Sequence, residues 1–381
     1  MNYQLVLKNG RLIDPAQGLD AALDVAFSGH RIAKVACDIP RSDCADSFDA
    51  SGCIVTPGLI DMHTHVYWGA NLLSLDAERY APITGTTTWM DAGTSGGANF
   101  AGFRRYIIAA SRTRIVPFLN VSAPGLTVFG GAHENVKHLD TDLACKTIEE
   151  NRDLVRGVKV LSSGLQVGAN DLMPLRVARE IGEAVDLPVM CHIGCPPPGL
   201  YAMLPLLRKG DIVTHAYKGR KGCLVITGNR VRPEAWEARQ RGIVFDVGHG
   251  VGSFSWEVAR AALEQGFPPD TISTDLHSGS LQSAVSMPAV MSKFLHLGLD
   301  LADVVRLSTT RPAQILGMAD QIGTLREGAC GDVAVLREEE GSFPALDCEG
   351  VTETLHRRLV TVLTVQAGEV MSEPEGDQQC T

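Results

Sequence analysis

Seven residues along this 381-residue chain carry side chains suited to metal-assisted hydrolysis: His63, His65, Lys159, His192, His215, His249 and Asp275. The first two close an apolar run, residues 54–65, and are two positions apart. Alternate side chains of a strand point to the same side, so both imidazoles can face a single metal ion. A His-x-His pair alone is weak evidence, because histidines also serve as hydrogen-bonded core residues. The positions of the other five residues therefore decide the interpretation.

Short strand-like runs contain or precede each of these residues. After residues 54–65, further runs occupy residues 86–91, 115–121, 157–161, 188–192, 211–215, 243–247 and 271–275. Amphipathic stretches typical of helices lie between them, at residues 100–112, 147–155, 174–184, 201–207, 232–241 and 256–265. Alternating strands and helices predict a parallel sheet with right-handed crossovers, and eight repeats over about 265 residues predict closure into an α/β fold, the (β/α)8 TIM barrel. We expect residues 54–318 to form this barrel.

The two ends of the chain have a different pattern. Residues 1–53 and 319–370 contain short strands separated by turn residues, including the hairpin signal Asn9-Gly10. Neither end is long enough to enclose a core alone, so we expect both to join in one small β-sandwich domain. Residues 371–381 are polar and are expected to form a disordered tail.

The carboxyl ends of barrel strands open at one mouth, which brings together polar residues that end different strands. Here they supply imidazole nitrogens, a carboxylate and an amine, which suit two divalent ions, with Zn²⁺ the expected metal. Lys159 is unusual because an ammonium group cannot bind a cation. Its apolar strand should lower the pKa of the amine, and the neutral amine reacts with CO₂ to give a carbamate that can bridge two ions. Spacing alone leaves open a second interpretation, a lysine paired with an acid at the barrel rim.

The run Pro-Gly-Leu-Ile-Asp-Met-His-Thr-His at residues 57–65, together with the lysine, histidines and aspartate above, resembles the amidohydrolase superfamily. Residues 189–198, 211–217, 245–255 and 272–275 resemble, more narrowly, a group of deacetylases often mislabelled dihydroorotase, of the acetyl-(R)-mandelate deacetylase kind. The likeness extends over nearly the whole chain. It implies a binuclear metal-dependent deacetylase with a carboxylated Lys159.

The resemblance and the chemistry of the side chains together imply a role for each residue. The expected metal ligands are His63, His65 and Asp275 for one ion, His192 and His215 for the other, and carbamylated Lys159 for both. Asp275 would also accept the proton of a metal-bridging hydroxide as it attacks a carbonyl, and would pass that proton to the leaving group. His249 is the candidate to contact the substrate carbonyl or the leaving group, with a hydrogen bond inside the protein as the alternative.

The resemblance implies acetyl esters or amides of small α-substituted carboxylic acids as substrates. The candidates to bind the substrate carboxylate follow the sixth strand and are Tyr217, Lys218, Arg220 and Lys221, although a basic loop can equally be a solvated surface. The glycine-rich segments 93–97 and 248–252 offer backbone N–H groups or are tight turns. Cys191 is excluded as a ligand, because alternation directs it away from His192.

Composition limits the remaining functional classes. The formal net charge of −10 and pI of about 5.6 argue against a nucleic-acid partner. The ten cysteines have no framework spacing, which favours reduced thiols. We see no secretion signal and no apolar run of membrane-spanning length, and expect a cytoplasmic homo-oligomer without a membrane partner. Two rival functions stay open: a cyclic amidohydrolase of the dihydroorotase or hydantoinase type, and a non-catalytic barrel that serves as an assembly partner.

Overall fold

A computed structural model describes residues 2–219, 226–227, 229–281 and 286–371. The strands are β1 (Tyr3–Asp14), β2 (Leu19–Ser28), β3 (Arg31–Ala36), β4 (Cys44–Asp49), β5 (Ile54–Pro57), β6 (Leu59–Thr64), β7 (Thr86–Gly96), β8 (Arg114–Asn120), β9 (Gly157–Ser162), β10 (Val189–Ile193), β11 (Ile212–Thr214), β12 (Ile226–Thr227), β13 (Arg230–Val231), β14 (Val244–Phe245), β15 (Val333–Leu346), β16 (Thr352–Gln366) and β17 (Glu369–Val370). The α-helices are α1 (Ala77–Thr84), α2 (Phe100–Gly102), α3 (Thr141–Glu149), α4 (Gly164–Val167), α5 (Met173–Ala184), α6 (Leu200–Met203), α7 (Pro233–Gln240), α8 (Trp256–Glu264), α9 (Met287–His296), α10 (Leu301–Ser308) and α11 (Thr310–Ile315).

The middle of the chain forms the predicted barrel. Seven parallel strands lie side by side in the order β14, β11, β10, β9, β8, β7, β6. Residues 271–276 occupy the eighth position and close the ring, because Thr271 bridges to Asp246 beside β14 and Leu276 bridges to Thr64 at the end of β6. The (β/α)8 prediction is therefore confirmed, with an eighth segment joined by isolated bridges rather than by a regular strand.

Side chains of the barrel strands alternate between the barrel interior and the surrounding helices, as the period of two requires. On β10, Val189, Cys191 and Ile193 pack outward with the helices, whereas Met190 packs inside with residues of other strands. The predicted exclusion of Cys191 follows from this arrangement. Burial also raises the pKa of its thiol to about 11, which leaves it protonated at neutral pH.

The two chain ends meet in one sheet, as predicted from their strand patterns. The eight strands are hydrogen-bonded in the order β17, β16, β15, β5, β1, β2, β3, with β4 paired to β1. The sheet is continuous, so the strands of the two ends share hydrogen bonds directly. Its longest element is the antiparallel hairpin of β15 and β16, which also packs on α9.

The predicted start of the barrel at residue 54 is wrong. β5 pairs with β1 and with β15, so Ile54 and Val55 belong to the end sheet, and the first barrel strand begins at Leu59. Gly58 separates the two strands and lies so close to Thr87 that a Cβ at this position would come within 2.1 Å of its hydroxyl oxygen. The apolar run hides this division because both halves are fully buried.

The helix predicted at residues 147–155 lies earlier in the structure, as α3. Asp140 precedes this helix, and its carboxylate accepts a hydrogen bond from the N–H of Leu143. Such a cap satisfies one of the donors that a helix start leaves unpaired, which explains where α3 begins. The expected tail, residues 371–381, falls outside the described residues except for Met371. No helix in the described part of the chain is long and apolar enough to cross a membrane.

Candidate metal centre

His63, His65 and Asp275 converge at the barrel mouth. One potential ligand atom from each lies within 4.8 Å of the others. The Nε2 atoms of His63 and His65 are 3.5 and 3.4 Å from Oδ1 of Asp275. All three come from adjacent positions in the closed ring, since β6 and residues 271–276 are neighbours.

Lys159 points into the same space from β9. It is buried, and its Nζ lies 3.1 Å from Nε2 of His63. Burial lowers the pKa of its amine to about 8, although nearby carboxylates, Asp275 first among them, oppose that shift. Gly93 leaves room for the stem of the lysine: its φ is +78°, and a Cβ there would lie 2.6 Å from the Cβ of Lys159. This contact gives one predicted glycine-rich segment a packing role.

His192 and His215 form a second group beside the first. The Nε2 of His215 lies 2.9 Å from Nδ1 of His192. The rings of His215 and His63 are 4.9 Å apart, so both groups border one space. The backbone turns sharply at the ends of these strands, because His215 has a φ of +71° and Asp275 a φ of +50°. Such left-handed conformations cost about 1–3 kcal/mol each and are concentrated at functional sites.

Hydrogen bonds fix the tautomer of the imidazoles. The hydroxyl of Thr214 donates to Asp246, so it can only accept from Nδ1 of His63, at 2.7 Å. Thr94 donates to Asp91 in the same way and accepts from Nδ1 of His65, at 3.0 Å. With the proton on Nδ1, each Nε2 presents a lone pair to the shared space, as metal-binding histidines require.

The same logic applies to His215, whose Nδ1 lies 2.6 Å from the carbonyl oxygen of Gly248 and must donate to it. Gly248 has a φ of +49°, and a Cβ there would lie 2.3 Å from the Thr214 hydroxyl oxygen. The second predicted glycine-rich segment thus permits a close approach to the histidines. Sequence analysis did not identify the two threonines. Thr214 directly precedes His215 in the chain, whereas Thr94 lies 29 residues from His65.

The charge states suit cation binding. Burial holds the pKa values of His63 and His192 well below the usual histidine range, and that of His215 at about 4, so these rings are neutral at pH 7. Burial alone would raise the pKa of Asp275, but the close approach of the His65 ring and of the other neighbouring imidazoles outweighs that effect and lowers it. Neutral imidazoles, an ionised carboxylate and a lysine amine of lowered pKa are a donor set that fits divalent ions such as Zn²⁺.

His249 lies near this space but does not point into it. Its Nδ1 is 2.8 Å from the carbonyl oxygen of Gly250, and its Nε2 is 2.7 Å from Nζ of Lys293. Both ring nitrogens are therefore engaged within the protein. This arrangement corresponds to the alternative stated for His249 from sequence, a hydrogen bond inside the protein instead of a contact with the substrate. Lys293 was missed by sequence analysis, although a lysine inside the apolar run of α9 is a recognisable signal.

Two of the four candidate carboxylate-binding residues, Tyr217 and Lys218, lie in the described part of the chain. Tyr217 is fully buried and donates its hydroxyl to the carbonyl of Phe267, so its assignment to the mouth is wrong. β11 ends at Thr214 and the left-handed turn at His215 breaks the alternation that would have directed Tyr217 to the mouth. Lys218 is half-buried and lies near enough to His192 and His215 to contribute to the lowering of their pKa values. Arg220 and Lys221 lie outside the described residues.

Two other buried or half-buried histidines lie near the barrel mouth. His277 lies beside Asp275, with its Nε2 4.0 Å from Oδ2, and its Nδ1 accepts the N–H of Gly279. His133 is fully buried between the Leu161 carbonyl and the Asn120 side chain. Its position shows that the segment after β8 folds back onto the barrel.

Comparison with known proteins agrees with the fold and with these motifs. Residues 250–359 match the model of the amidohydrolase family. A deacetylase of Agrobacterium fabrum is 33% identical over 341 residues, which cover 88% of this chain and 84% of that protein. A deacetylase of Enterococcus faecalis is 30% identical over 375 residues, covering 97% and 99% of the two chains.

Solved structures extend the likeness to three dimensions. A crystal structure described as a dihydroorotase is 29% identical, with a TM-score of 0.88 over 97% of this chain and 99% of that one. Another, described as an adenine deaminase, is 28% identical, with a TM-score of 0.89 over the same shares. Taken with the deacetylases, they lead to one conclusion: this chain is a hydrolase and belongs to the amidohydrolase family.

Proposed function

We propose that the chain is a binuclear metal-dependent hydrolase that removes an acetyl or other acyl group from an ester or amide of a small α-substituted carboxylic acid. The observation that carries this proposal is the convergence of His63, His65 and Asp275 within 4.8 Å, beside the buried amine of Lys159. The relatives named deacetylases support acyl removal as the reaction.

Each side chain has a defined task in this proposal. His63, His65 and Asp275 would hold one ion, His192 and His215 the other, and the carbamate of Lys159 both. When bound, the ions would supply a nucleophilic hydroxide at neutral pH and polarise the scissile carbonyl. Carbamate formation joins the Lys159 nitrogen to the carbon of CO₂ and releases the amine proton.

Asp275 would carry the proton of the reaction. Its lowered pKa keeps it ionised and able to accept a proton at neutral pH. Protonated Asp275 would then give that proton to the departing alkoxide or amine. Oδ2 faces Gly250, where a Cβ would come within 2.5 Å, so only glycine leaves this side of the carboxylate clear.

Lys218 is the best-placed of the described candidates to bind the substrate carboxylate. Its side chain is half-buried four residues after the end of β11, and its positive charge contributes to the lowered pKa values of His192 and His215. Arg220 and Lys221 stay candidates from sequence alone. An ammonium close to the ions but not among their ligands is suited to fix the orientation of an anionic substrate.

An acetate-release screen over acetylated α-hydroxy and α-amino acids of both hands tests the proposal. We expect release from one enantiomer, and a large preference for these acids over matched acetylated alcohols or amines that lack the carboxylate. Lys218→Met should reduce that preference by roughly the tenfold or more that a charged hydrogen bond is worth. Lys209→Met, a change in the surface loop before β11, is the matched control.

A second function is favoured by the structure described as a dihydroorotase. Dihydroorotate and hydantoins therefore belong in the same screen. Ring opening without release of acetate would replace our proposal with cyclic amide hydrolysis. A protein with bound metal that acts on neither class would contradict both, and a protein without metal or activity would favour the assembly-partner alternative.

A further inference from the structure

Lys293 places an ammonium group inside apolar packing close to the barrel mouth. It lies on α9, is 4% exposed, and its Nζ is 4.9 and 5.3 Å from the ring centroids of Phe254 and Trp256. Burial lowers the pKa of its amine to about 8. Burying a charged side chain costs free energy unless its charge is hydrogen-bonded, so a buried lysine is expected to have specific acceptors.

The ammonium group has two acceptors, a ring nitrogen and a backbone carbonyl. Nζ lies 2.7 Å from Nε2 of His249 and 2.6 Å from the carbonyl oxygen of Leu346. Since Nδ1 of His249 must donate to the carbonyl of Gly250, Nε2 has only a lone pair to offer, and Lys293 donates to it. The lysine thereby fixes both the tautomer and the orientation of the ring, which also stacks on Phe254 with centroids 4.9 Å apart.

The histidine in turn belongs to a turn that borders Asp275. The N–H of His249 donates to Ser273, and that of Gly250 donates to Thr274, so the turn is fastened to the eighth barrel segment. Gly250 is the residue that faces Oδ2 of Asp275. A shift of the His249 ring would therefore move the wall next to this carboxylate.

The carbonyl of Leu346 connects the same lysine to the end sheet. Leu346 ends β15, and the loop after it is held on the barrel: Asp347 accepts from the N–H of Trp256, and the N–H of Cys348 donates to Phe254. The hairpin of the end sheet and the turn beside Asp275 thus meet at one ammonium group.

We propose that Lys293 is a positioning residue, which holds His249 and the turn at Asp275 in place and joins that turn to the hairpin of β15 and β16. Its effect on turnover rests on the proposed function, in which Asp275 carries the proton. Its effect on the His249 ring does not depend on that function.

The test compares Lys293→Met with a control on the same helix. His296 also joins α9 to the hairpin, through a hydrogen bond between its Nε2 and the carboxylate of Glu353 at 2.9 Å, and among the described residues it has no hydrogen bond to His249 or its turn. We expect Lys293→Met to lower kcat roughly 10- to 100-fold, as loss of a supporting hydrogen bond commonly does, with KM and metal content nearly unchanged. Lys293→Arg should restore part of kcat, and His296→Gln should leave it unchanged.

A second measurement determines the tautomer of the His249 ring directly. Imidazole ¹⁵N spectra of histidine-labelled protein, with the His249 signals assigned by their loss in His249→Gln, should show the Nδ1–H tautomer in the parent and a changed pattern in Lys293→Met. Unchanged ring signals, or equal losses of kcat in Lys293→Met and His296→Gln, would overturn the proposal. Where Lys293→Met fails to fold, Lys293→Arg provides the ring measurement: the Nε2 resonance of His249 should shift because a guanidinium replaces the ammonium donor, and an unshifted resonance would overturn the proposal. A parent without activity toward any acyl substrate would refute the proposed function while the ¹⁵N spectra still decide the role of Lys293.

Discussion

The two groups of candidate ligands, His63 with His65 and Asp275, and His192 with His215, differ in the hydrogen bonds that orient their imidazole rings. In the first, the Nδ1 atoms of His63 and His65 are each held by a threonine backed by a buried carboxylate, and both Nε2 atoms face Asp275. In the second, Nε2 of His215 and Nδ1 of His192 face each other at 2.9 Å. The first group is arranged for an ion, whereas the second is hydrogen-bonded to itself.

This difference has a chemical consequence. Because Nδ1 of His215 donates to Gly248, its Nε2 accepts, and the proton between the two rings belongs to His192. A nitrogen that carries a proton cannot bind a cation, so binding of an ion through Nδ1 of His192 requires the other tautomer of this ring, with the proton on Nε2. Lys159 lies against the first group, 3.1 Å from His63, and its carbamate is the link that we expect to complete the second.

Lys159→Ala should break the second group and have the largest effect. We expect metal content to fall from about two ions per chain to one or none, with loss of turnover, because the bridging ligand is gone. A short carboxylic acid added to the variant should restore part of both. Lys137→Ala, at an exposed position, is the control. Full metal content and turnover in Lys159→Ala would exclude the carbamate.

Asp275→Asn should separate proton transfer from metal binding. The amide keeps an oxygen that can bind an ion but cannot carry the proton, so we expect kcat to fall by roughly 10²- to 10⁴-fold while metal content is largely kept. Asp270→Asn, at the other end of the same barrel segment, should have a small effect. Turnover equal to that of the parent would refute the role of Asp275.

Thr214→Val should weaken the first group selectively. Without the hydroxyl, Nδ1 of His63 loses its acceptor, and we expect metal affinity to fall roughly 10- to 100-fold. Thr94→Val should act similarly through His65. Thr86→Val is a matched control, because the buried Thr86 hydroxyl has no hydrogen-bond partner among the residues described. Equal affinities in all three variants would show that these hydroxyls do not prepare the site.

The pH dependence of metal uptake should show whether Lys159 is the residue that forms the carbamate. With a pKa of about 8, its amine is roughly one-tenth neutral at pH 7 and nine-tenths neutral at pH 9, so carbamate formation should rise with pH. The imidazoles of His63, His192 and His215 are already neutral at pH 7 and should not add to this rise. At an equal concentration of dissolved CO₂, we expect uptake of metal by metal-free protein to be accelerated about tenfold more at pH 9 than at pH 7. A rise that persists in Lys159→Ala would have another origin.

Most of the barrel and the approach of the ligands could be predicted from sequence, for a specific physical reason. Parallel strands share one open end, so a residue that ends a strand has its place assigned once the alternation of strands and helices is recognised. His63 and His65 needed only the period of two in addition. The local pattern was sufficient wherever the regular strand geometry continued.

The errors occur where regular geometry stops or where a partner is distant in sequence. Tyr217 was misplaced because the chain leaves strand geometry at His215, whose φ of +71° is not visible in the residue types. The start of the barrel was misplaced because Ile54 and Val55 pair with strands from both chain ends. Lys293, the partner of His249, lies 44 residues away on a helix. The apolar run around it marks the lysine as unusual, but no local pattern indicates which residue it contacts.

The most direct test of the central claim is a count of the metal ions in the purified protein, made beside Lys159→Ala under identical conditions. We expect about two divalent ions per parent chain, with at least one lost from the variant. One ion in both proteins would contradict this expectation, because the first group would then be the whole metal site and Lys159 an ordinary buried amine.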